Sequence, residues 1–347
     1  MRDLPGDRAQ APFAHGPATW PQTLKTIAHF IPNGDGWHLS LYQTWDEGRL
    51  ASGRAPVLIV PGYGMNSFIF SWHPRGTSLE RYLAHAGFEV WRVDLRAQGD
   101  SRSIGGNDRY GLEDLVLTDL GAAVGAVLER TRTGATRIDV VGASLGGTIM
   151  FAHALLNPKH AFGTLVSVGC PVRWVDIHPV VKLAFASPSL VGLVPMWGTR
   201  RLAGVALPLL ARRAPQLLAI YLNAELTDIS AVDEMIKTVE DPNRNVNREI
   251  AHWIRARDLT LRGVNISEGL RSIVAPLLCI SAWGDGIVPR RTAAFPYFAV
   301  GSPVKKLVEA GGPGHAISHA DLFISNESPR HVFEPIASWL RERASGA

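Results

Sequence analysis

Arg137-Ile138-Asp139-Val140-Val141-Gly142-Ala143-Ser144-Leu145-Gly146-Gly147, continued by Thr148-Ile149-Met150-Phe151-Ala152-His153-Ala154-Leu155-Leu156, is the stretch whose reading decides the fold. An apolar, β-branched run feeds Gly-x-Ser-x-Gly, and the residues after it read as a helix. Strand, tight turn and helix in that order are the setting of a nucleophile elbow. On so sharp a turn, side chains beside the serine would strike the neighbouring strand and helix, and glycine at 142 and 146 removes those clashes. The helix start behind Ser144 brings backbone N–H groups and a partial positive charge to the place where an oxyanion would form. The five-residue pattern is weak by itself; its strand and helix give it weight.

Working outward, Pro56–Val60 is a continuous apolar run, as expected of a strand buried on both faces, and Phe88–Val93 and Ile138–Val141 read alike. Helical patterns lie between them at Ser78–His85 and Leu112–Arg130; the second carries Leu115, Leu117, Leu120, Val124 and Leu128 near a 3.6-residue period. Strands alternating with helices predict a parallel sheet covered on both faces. Upstream, Thr26–Ile31 and His38–Thr44 flank Asn33-Gly34-Asp35-Gly36, a hairpin signal, and their alternation predicts one wet face each. After Thr164–Gly169 the text changes. From about Pro171 to Ile273 it is helical and proline-interrupted, without strand signals. Sheet order resumes at Pro276–Ser281 and Val304–Val308 and closes with a helix over Val332–Arg343. The organisation expected is a loosely held arm over 1–22, a core of 23–170 and 274–347, and a helical cap over 171–273 inserted between sheet strands.

The length of 347 residues suits one large α/β domain with an insertion, or two small domains, and a composition of 46% hydrophobic and 19% charged residues is that of a folded protein. The net charge of +4 is small and no lysine/arginine run stands out, which argues against a nucleic-acid partner. Cys170 and Cys279 lie in apolar runs without metal-ligand spacing, so they read as buried free thiols of a reducing, cytoplasmic setting. The segment Met1–Arg8 lacks the apolar core of a secretory signal, and no run of about 18 apolar residues could span a membrane.

A serine hydroxyl is a poor nucleophile at neutral pH and needs a base, which in turn needs an orienting acid. Behind such an elbow the acid and then the histidine follow in the chain, on loops past strand ends. Asp285, in Trp283-Gly284-Asp285-Gly286-Ile287-Val288-Pro289 directly after the strand at 276–281, is the candidate acid; the bland alternative is an Asp-Gly turn. Two histidines, His315 and His319, share the glycine-rich loop Gly311–Asp321, and spacing favours neither. The oxyanion hole should combine the N–H of Leu145 with that of Tyr63, from the loop Pro61-Gly62-Tyr63-Gly64-Met65-Asn66. There Gly62, Gly64 and Met65 are the candidate substrate contacts, against the alternative of a simple turn. Asp94 and Arg96, ending the strand at 88–93, read as ties between loops more readily than as substrate contacts. No metal or organic cofactor is implied.

These residues resemble α/β-hydrolases of the acid-lipase type. Asp35-Gly36-Trp37-His38-Leu39-Ser40-Leu41 is similar to that family's entry hairpin, Leu83–Trp91 to its "LAdaGFDVW" segment, Ser101-Arg102 to the end of its next loop, and Asp119-Leu120 to the start of the helix before the elbow. Pro61-Gly62-Tyr63 stands where the family has His-Gly-x, Ala143 where many relatives carry histidine, and Ala97 where glycine is usual. A second, local likeness is to polyhydroxyalkanoate synthases and depolymerases, at Thr77–Leu83 and Gly146-Gly147-Thr148. The synthases carry cysteine as nucleophile, so Ser144 favours hydrolysis. His319-Ala320-Asp321-Leu322 looks like the acid-lipase "HxDL" motif and selects His319, whereas the synthase "GH" pattern selects His315.

The resemblance implies an α/β-hydrolase fold, a mostly parallel central sheet flanked by helices with an inserted cap. It implies a serine esterase or lipase-like enzyme for a small hydrophobic ester, with Ser144, Asp285 and His319 as triad. Acyl transfer, polyester depolymerisation or C–C bond hydrolysis would use the same triad, and a catalytically silent binding protein would use the same fold. The apolar stretch of the cap, flanked by Arg200, Arg201, Arg212 and Arg213, suits an acyl-binding lid and also contact with a lipid surface. Oligomeric state stays open.

Overall fold

The computed structural model describes residues 23–187, 204, 206, 209–210 and 213–344. The expected arm over 1–22, the stretch Leu193–Trp197 and the arginines Arg200, Arg201 and Arg212 lie outside them. Strands β1 (Leu24–Pro32), β2 (Trp37–Asp46), β3 (Val57–Val60), β4 (Val90–Asp94), β5 (Arg102–Ser103), β6 (Ile138–Ala143), β7 (Phe162–Val168), β10 (Leu277–Ala282) and β11 (Lys305–Ala310) build one sheet. Its order is β1-β2-β4-β3-β6-β7-β10-β11, with β5 added on β2. From β4 to β11 every neighbouring pair is parallel, while β1–β2 and β2–β4 are antiparallel.

The central strands are apolar on both faces because both faces are covered. Leu58, Val60, Trp91, Val140 and Leu165 join one core with α2 (Leu120–Arg130), α3 (Leu145–Leu156) and α5 (Arg290–Ala299). The alternate residues Val57, Ile59, Val90, Val141 and Val166 join a second core with α1 (Leu79–His85) and α6 (Glu334–Ala344). This is the period-two alternation of a strand, read against helices on either side. Cys170 and Cys279 are free and buried, and burial pushes both thiols up to about 12.

Three details depart from the sequence reading. β1 is not half-buried: it is an edge strand paired only with β2, most of its residues face water, and Ile27 and Phe30 are exposed. The helix before the elbow opens with a wide π turn, Asp114–Asp119, before α2 begins. Residues 171–273 do contain strands, the two-residue β8 (Thr260–Leu261) and β9 (Val264–Asn265), paired antiparallel as a separate hairpin. Runs that short leave no alternation to read. The other described residues of this segment, which lies between β7 and β10, include short helical turns and the amphipathic α4 (Arg244–Ala256), which buries Val246, Ile250, Trp253 and Ile254.

Several motif residues hold loops together. Asp119, fully buried, accepts from Asn33 Nδ2 at 2.7 Å, from the Arg96 backbone N–H at 2.9 Å and from the Arg96 guanidinium at 2.8–3.0 Å. Arg96 Nη1 also donates to Asp35 at 2.6 Å. Asp94 accepts from Ser40 Oγ at 2.8 Å and from the Ser67 N–H at 2.6 Å. These ties bind the entry hairpin and the helix before the elbow to the end of β4.

Candidate active site

Ser144 adopts φ +51°, ψ −123°, at the junction of β6 and α3. Such a conformation costs an L-residue about 1–3 kcal/mol, and the surroundings must enforce it. Its N–H donates to Val168 O at 2.9 Å, which ties the elbow to the end of β7. The glycines are required for space: a Cβ at Gly142 would lie 2.6 Å from Gly147 N, and one at Gly146 would lie 2.5 Å from Pro61 O. Ser144 itself is 7% exposed.

Asp285 sits on the loop after β10, its carboxyl buried. One oxygen accepts the N–H groups of Ile287 and Val288 at 2.9 and 2.7 Å; the other meets His319 Nδ1 at 2.6 Å. Asp285 does form an Asp-Gly turn, and that turn aims the other carboxylate oxygen at His319. With Nδ1–H committed to Asp285, Nε2 is the ring nitrogen left to take a proton. Ser144 and this pair share the corner at Gly169. That residue follows Val168, has φ +57°, and a Cβ on it would sit 3.3 Å from His319 Cε1 and 3.5 Å from Asp285 Oδ2. Among the described residues no hydrogen bond joins Ser144 Oγ to His319 Nε2.

His315 is placed elsewhere. Its half-exposed ring faces Glu327, 3.9 Å away, and His331. The loop after β3 brings Gly62 against Ser144, where an added Cβ would lie 2.8 Å from Ser144 Cβ and 3.4 Å from Met65 Sδ. Gly64 turns the other way, its carbonyl accepting the Glu240 N–H at 2.9 Å beneath the segment before α4. Neither the Tyr63 N–H nor the Leu145 N–H donates to an acceptor among the described residues, and both flank the serine.

The sequence matches the alpha/beta hydrolase fold family over residues 55–321, most of the chain and all of this site. The chain belongs to the α/β-hydrolase fold family. Among solved structures, it is similar to an esterase from Thermogutta terrifontis, at 18% identity and a TM-score of 0.60, covering 92% of this chain and 99% of that one. An esterase from Exiguobacterium antarcticum matches at 15% identity and 0.58, with coverages of 91% and 100%. A meta-cleavage product hydrolase from Pseudomonas fluorescens matches at 16% and 0.59, with coverages of 91% and 97%. At these identities the shared property is the fold. No curated protein matches the sequence. The likeness to polyhydroxyalkanoate synthases rests on short segments alone.

In this α/β-hydrolase, residues that the sequence reading passed over support the site from the inserted segment. Tyr63 OH donates to Asn247 Oδ1 of α4 at 2.6 Å, so the inserted segment grips the loop after β3. Ile220 O accepts from Gly286 beside the acid, and Tyr221 O accepts from Ala320 beside the histidine, at 3.0 and 2.7 Å. Asp321, fully buried, accepts from Thr227 Oγ1 at 2.7 Å and from the N–H groups of Asn223 and Ser318 at 2.9 Å; burial pushes its carboxyl up to about 6. The "HxDL" aspartate is thus the peg on which the inserted segment hangs against the histidine loop. Beside that motif, Gly169 carried a visible hint, a glycine closing an apolar strand.

Two cavities differ in chemistry. One of about 40 Å³ is lined by Gly62, Tyr63, Gln98, Tyr110, Leu145 and Ile149, beside the serine. A larger one, about 990 Å³, opens between Ala51–Ala55, Gly134–Arg137 and Glu342–Ala344, at the starts of β3, β6 and β7. Size does not decide between them. Ligand sites of open α/β sheets lie beyond the carboxyl ends of the strands, where Ser144, Asp285 and His319 are.

Proposed function

We propose that this chain is a serine hydrolase that cleaves carboxylic esters of hydrophobic acyl groups through an acyl-enzyme. Ser144 Oγ attacks the ester carbonyl while His319 Nε2 takes its proton, and Asp285 holds the imidazolium that forms. The same nitrogen then gives the proton to the departing alkoxide, and a water activated by His319 frees the acid and restores the serine. The N–H groups of Leu145 and Tyr63 would receive the oxyanion.

The observation that carries this reading is the buried 2.6 Å bond between His319 Nδ1 and Asp285 Oδ2, at a corner shared with a backbone-strained Ser144. A hydrophobic acyl group is supported by the apolar side chains of Leu145 and Ile149, which line the cavity beside the serine together with Tyr63 and Tyr110. Such walls reward an alkyl chain with about 0.8 kcal/mol per buried CH₂.

A fluorophosphonate probe should label the folded protein, and Ser144→Ala should abolish labelling. A wild-type protein that stays unlabelled while folded would instead be a binding protein. p-Nitrophenyl esters of rising acyl length should show kcat/KM increasing from acetate to longer chains. Product analysis with alcohol acceptors, polyesters and vinylogous diketones separates hydrolysis of small esters from acyl transfer, depolymerisation and C–C cleavage.

A further inference from the structure

His315, left out of the corner occupied by Ser144, belongs to a second cluster. Among the described residues, His315, Glu327 and His331 form the single group of three metal-ligating side chains whose ligand atoms all lie within 4.8 Å of one another. One carboxylate oxygen is the common point: Glu327 Oε2 lies 3.5 Å from His331 Nε2 and 3.9 Å from His315 Nε2. The two imidazoles face each other across it, with ring centroids 5.9 Å apart.

We infer that His315, Glu327 and His331 form a surface site for a divalent transition-metal ion of the zinc class. Tetrahedral zinc with bonds of about 2.0–2.1 Å places its ligand atoms about 3.3–3.5 Å apart. The His331–Glu327 pair already has that spacing, and His315 stands 3.9 Å from Glu327 and within 4.8 Å of the nearest His331 nitrogen, so side-chain rotation must bring it inward to complete the set. The backbones beneath are fixed. His315 closes a tight turn in which Gly312 and His315 exchange N–H···O bonds of 3.0 Å, with Gly314 at φ +78°. Glu327 and His331 are one helical turn apart, the His331 N–H donating to Glu327 O at 3.0 Å. All three side chains are partly exposed, at 42%, 24% and 22%, so an ion can enter and keep water in its remaining position.

The donor set sets the selectivity. Two imidazoles and one carboxylate suit zinc, nickel, cobalt or copper, whereas magnesium and calcium require several oxygen ligands that are not offered here. A bound ion would link the loop carrying His319, four residues after His315, to the turn before α6. The ligands belong to no part of the proposed ester chemistry, so the site stands or falls independently of it.

Titration calorimetry of the tag-free, chelator-stripped full chain with zinc chloride tests the site. Expected are one saturable equivalent of Zn²⁺, a zinc-dependent rise in Tm, and no heat from Mg²⁺. His315→Ala, Glu327→Gln and His331→Ala should each weaken Zn²⁺ binding at least about tenfold, since even outer partners of zinc ligands are worth about 10–100-fold. Circular dichroism of each variant checks that its fold is kept. Absence of a saturable equivalent in the wild type, or undiminished binding in folded His331→Ala and His315→Ala, would overturn the inference.

Discussion

At the scale of single residues, the site depends on which nitrogen of His319 is free. Asp285 takes Nδ1–H, and two backbone N–H groups fix the carboxylate so that it cannot turn away. An amide at position 285 could present its NH₂ to the ring and favour the wrong tautomer. Asp285→Asn is therefore expected to lower kcat by roughly 10³–10⁴ while the protein stays folded. Steady-state kinetics on a p-nitrophenyl ester measure this, and a loss below tenfold would remove Asp285 from the mechanism. His319→Ala should cost at least about 100-fold more in kcat than His315→Ala, because only His319 contacts the buried acid. The reverse ranking would transfer the role of base.

Elements add a second layer of control. The loop after β3 is held from α4 by the 2.6 Å bond between Tyr63 OH and Asn247, a fully buried residue. Removing that grip should let the Tyr63 N–H drift from the position proposed for it in the oxyanion hole. Asn247→Ala is expected to lower kcat by about 10-fold with KM within a factor of three, less than the 10²–10³ for deleting an oxyanion donor outright. A change confined to KM would place Asn247 in substrate binding instead. On the other side of β4, Asp119 neutralises Arg96, which is 1% exposed. Asp119→Ala leaves that guanidinium buried with only the half-exposed Asp35 as charged partner, and should destabilise the fold by about 3–5 kcal/mol in urea unfolding. A cost below 1 kcal/mol would mean that water replaces the carboxylate.

For the whole molecule, histidines kept neutral by burial contribute an acid-sensitive part of the stability. His153 is 1% exposed, its Nδ1 bonded to Val116 O at 2.7 Å, and burial lowers its pKa below the ordinary 6.5. His73, bonded to Ser325 O at 2.9 Å, is lowered for the same reason. The unfolded chain binds protons at these positions below about pH 6.5 while the folded chain does not. Their contribution is thus complete above pH 6.5 and is lost as pH falls further. Asp139 and Asp321, whose carboxyls burial pushes up to about 6, take up protons in the folded chain over the same range and act in the opposite sense. The test is therefore the change that one histidine makes: His153→Gln should shift the difference in urea midpoint between pH 7.5 and pH 5 in favour of the acid end. An unchanged difference between the two pH values in the variant would clear His153 of the effect.

The order of strands and helices was legible because burial writes itself locally: Val57–Val60 is apolar throughout, and Ile138–Ala143 apolar except for Asp139, since both sheet faces are covered. The elbow was legible because backbone crowding admits only glycine at 142 and 146. The edge exposure of β1 and the β8–β9 hairpin were not, since exposure depends on what packs above a strand and two residues carry no period. What the sequence determined by itself was the fold and the turn at Asp285-Gly286, in each case through short-range sterics. Only the tertiary structure decided that His319 and not His315 meets Asp285, and that Asn247, Tyr221 and Asp321 brace the corner. These contacts join residues 34 to 184 positions apart, and no local pattern encodes a distance set by how a whole sheet and its insertion pack.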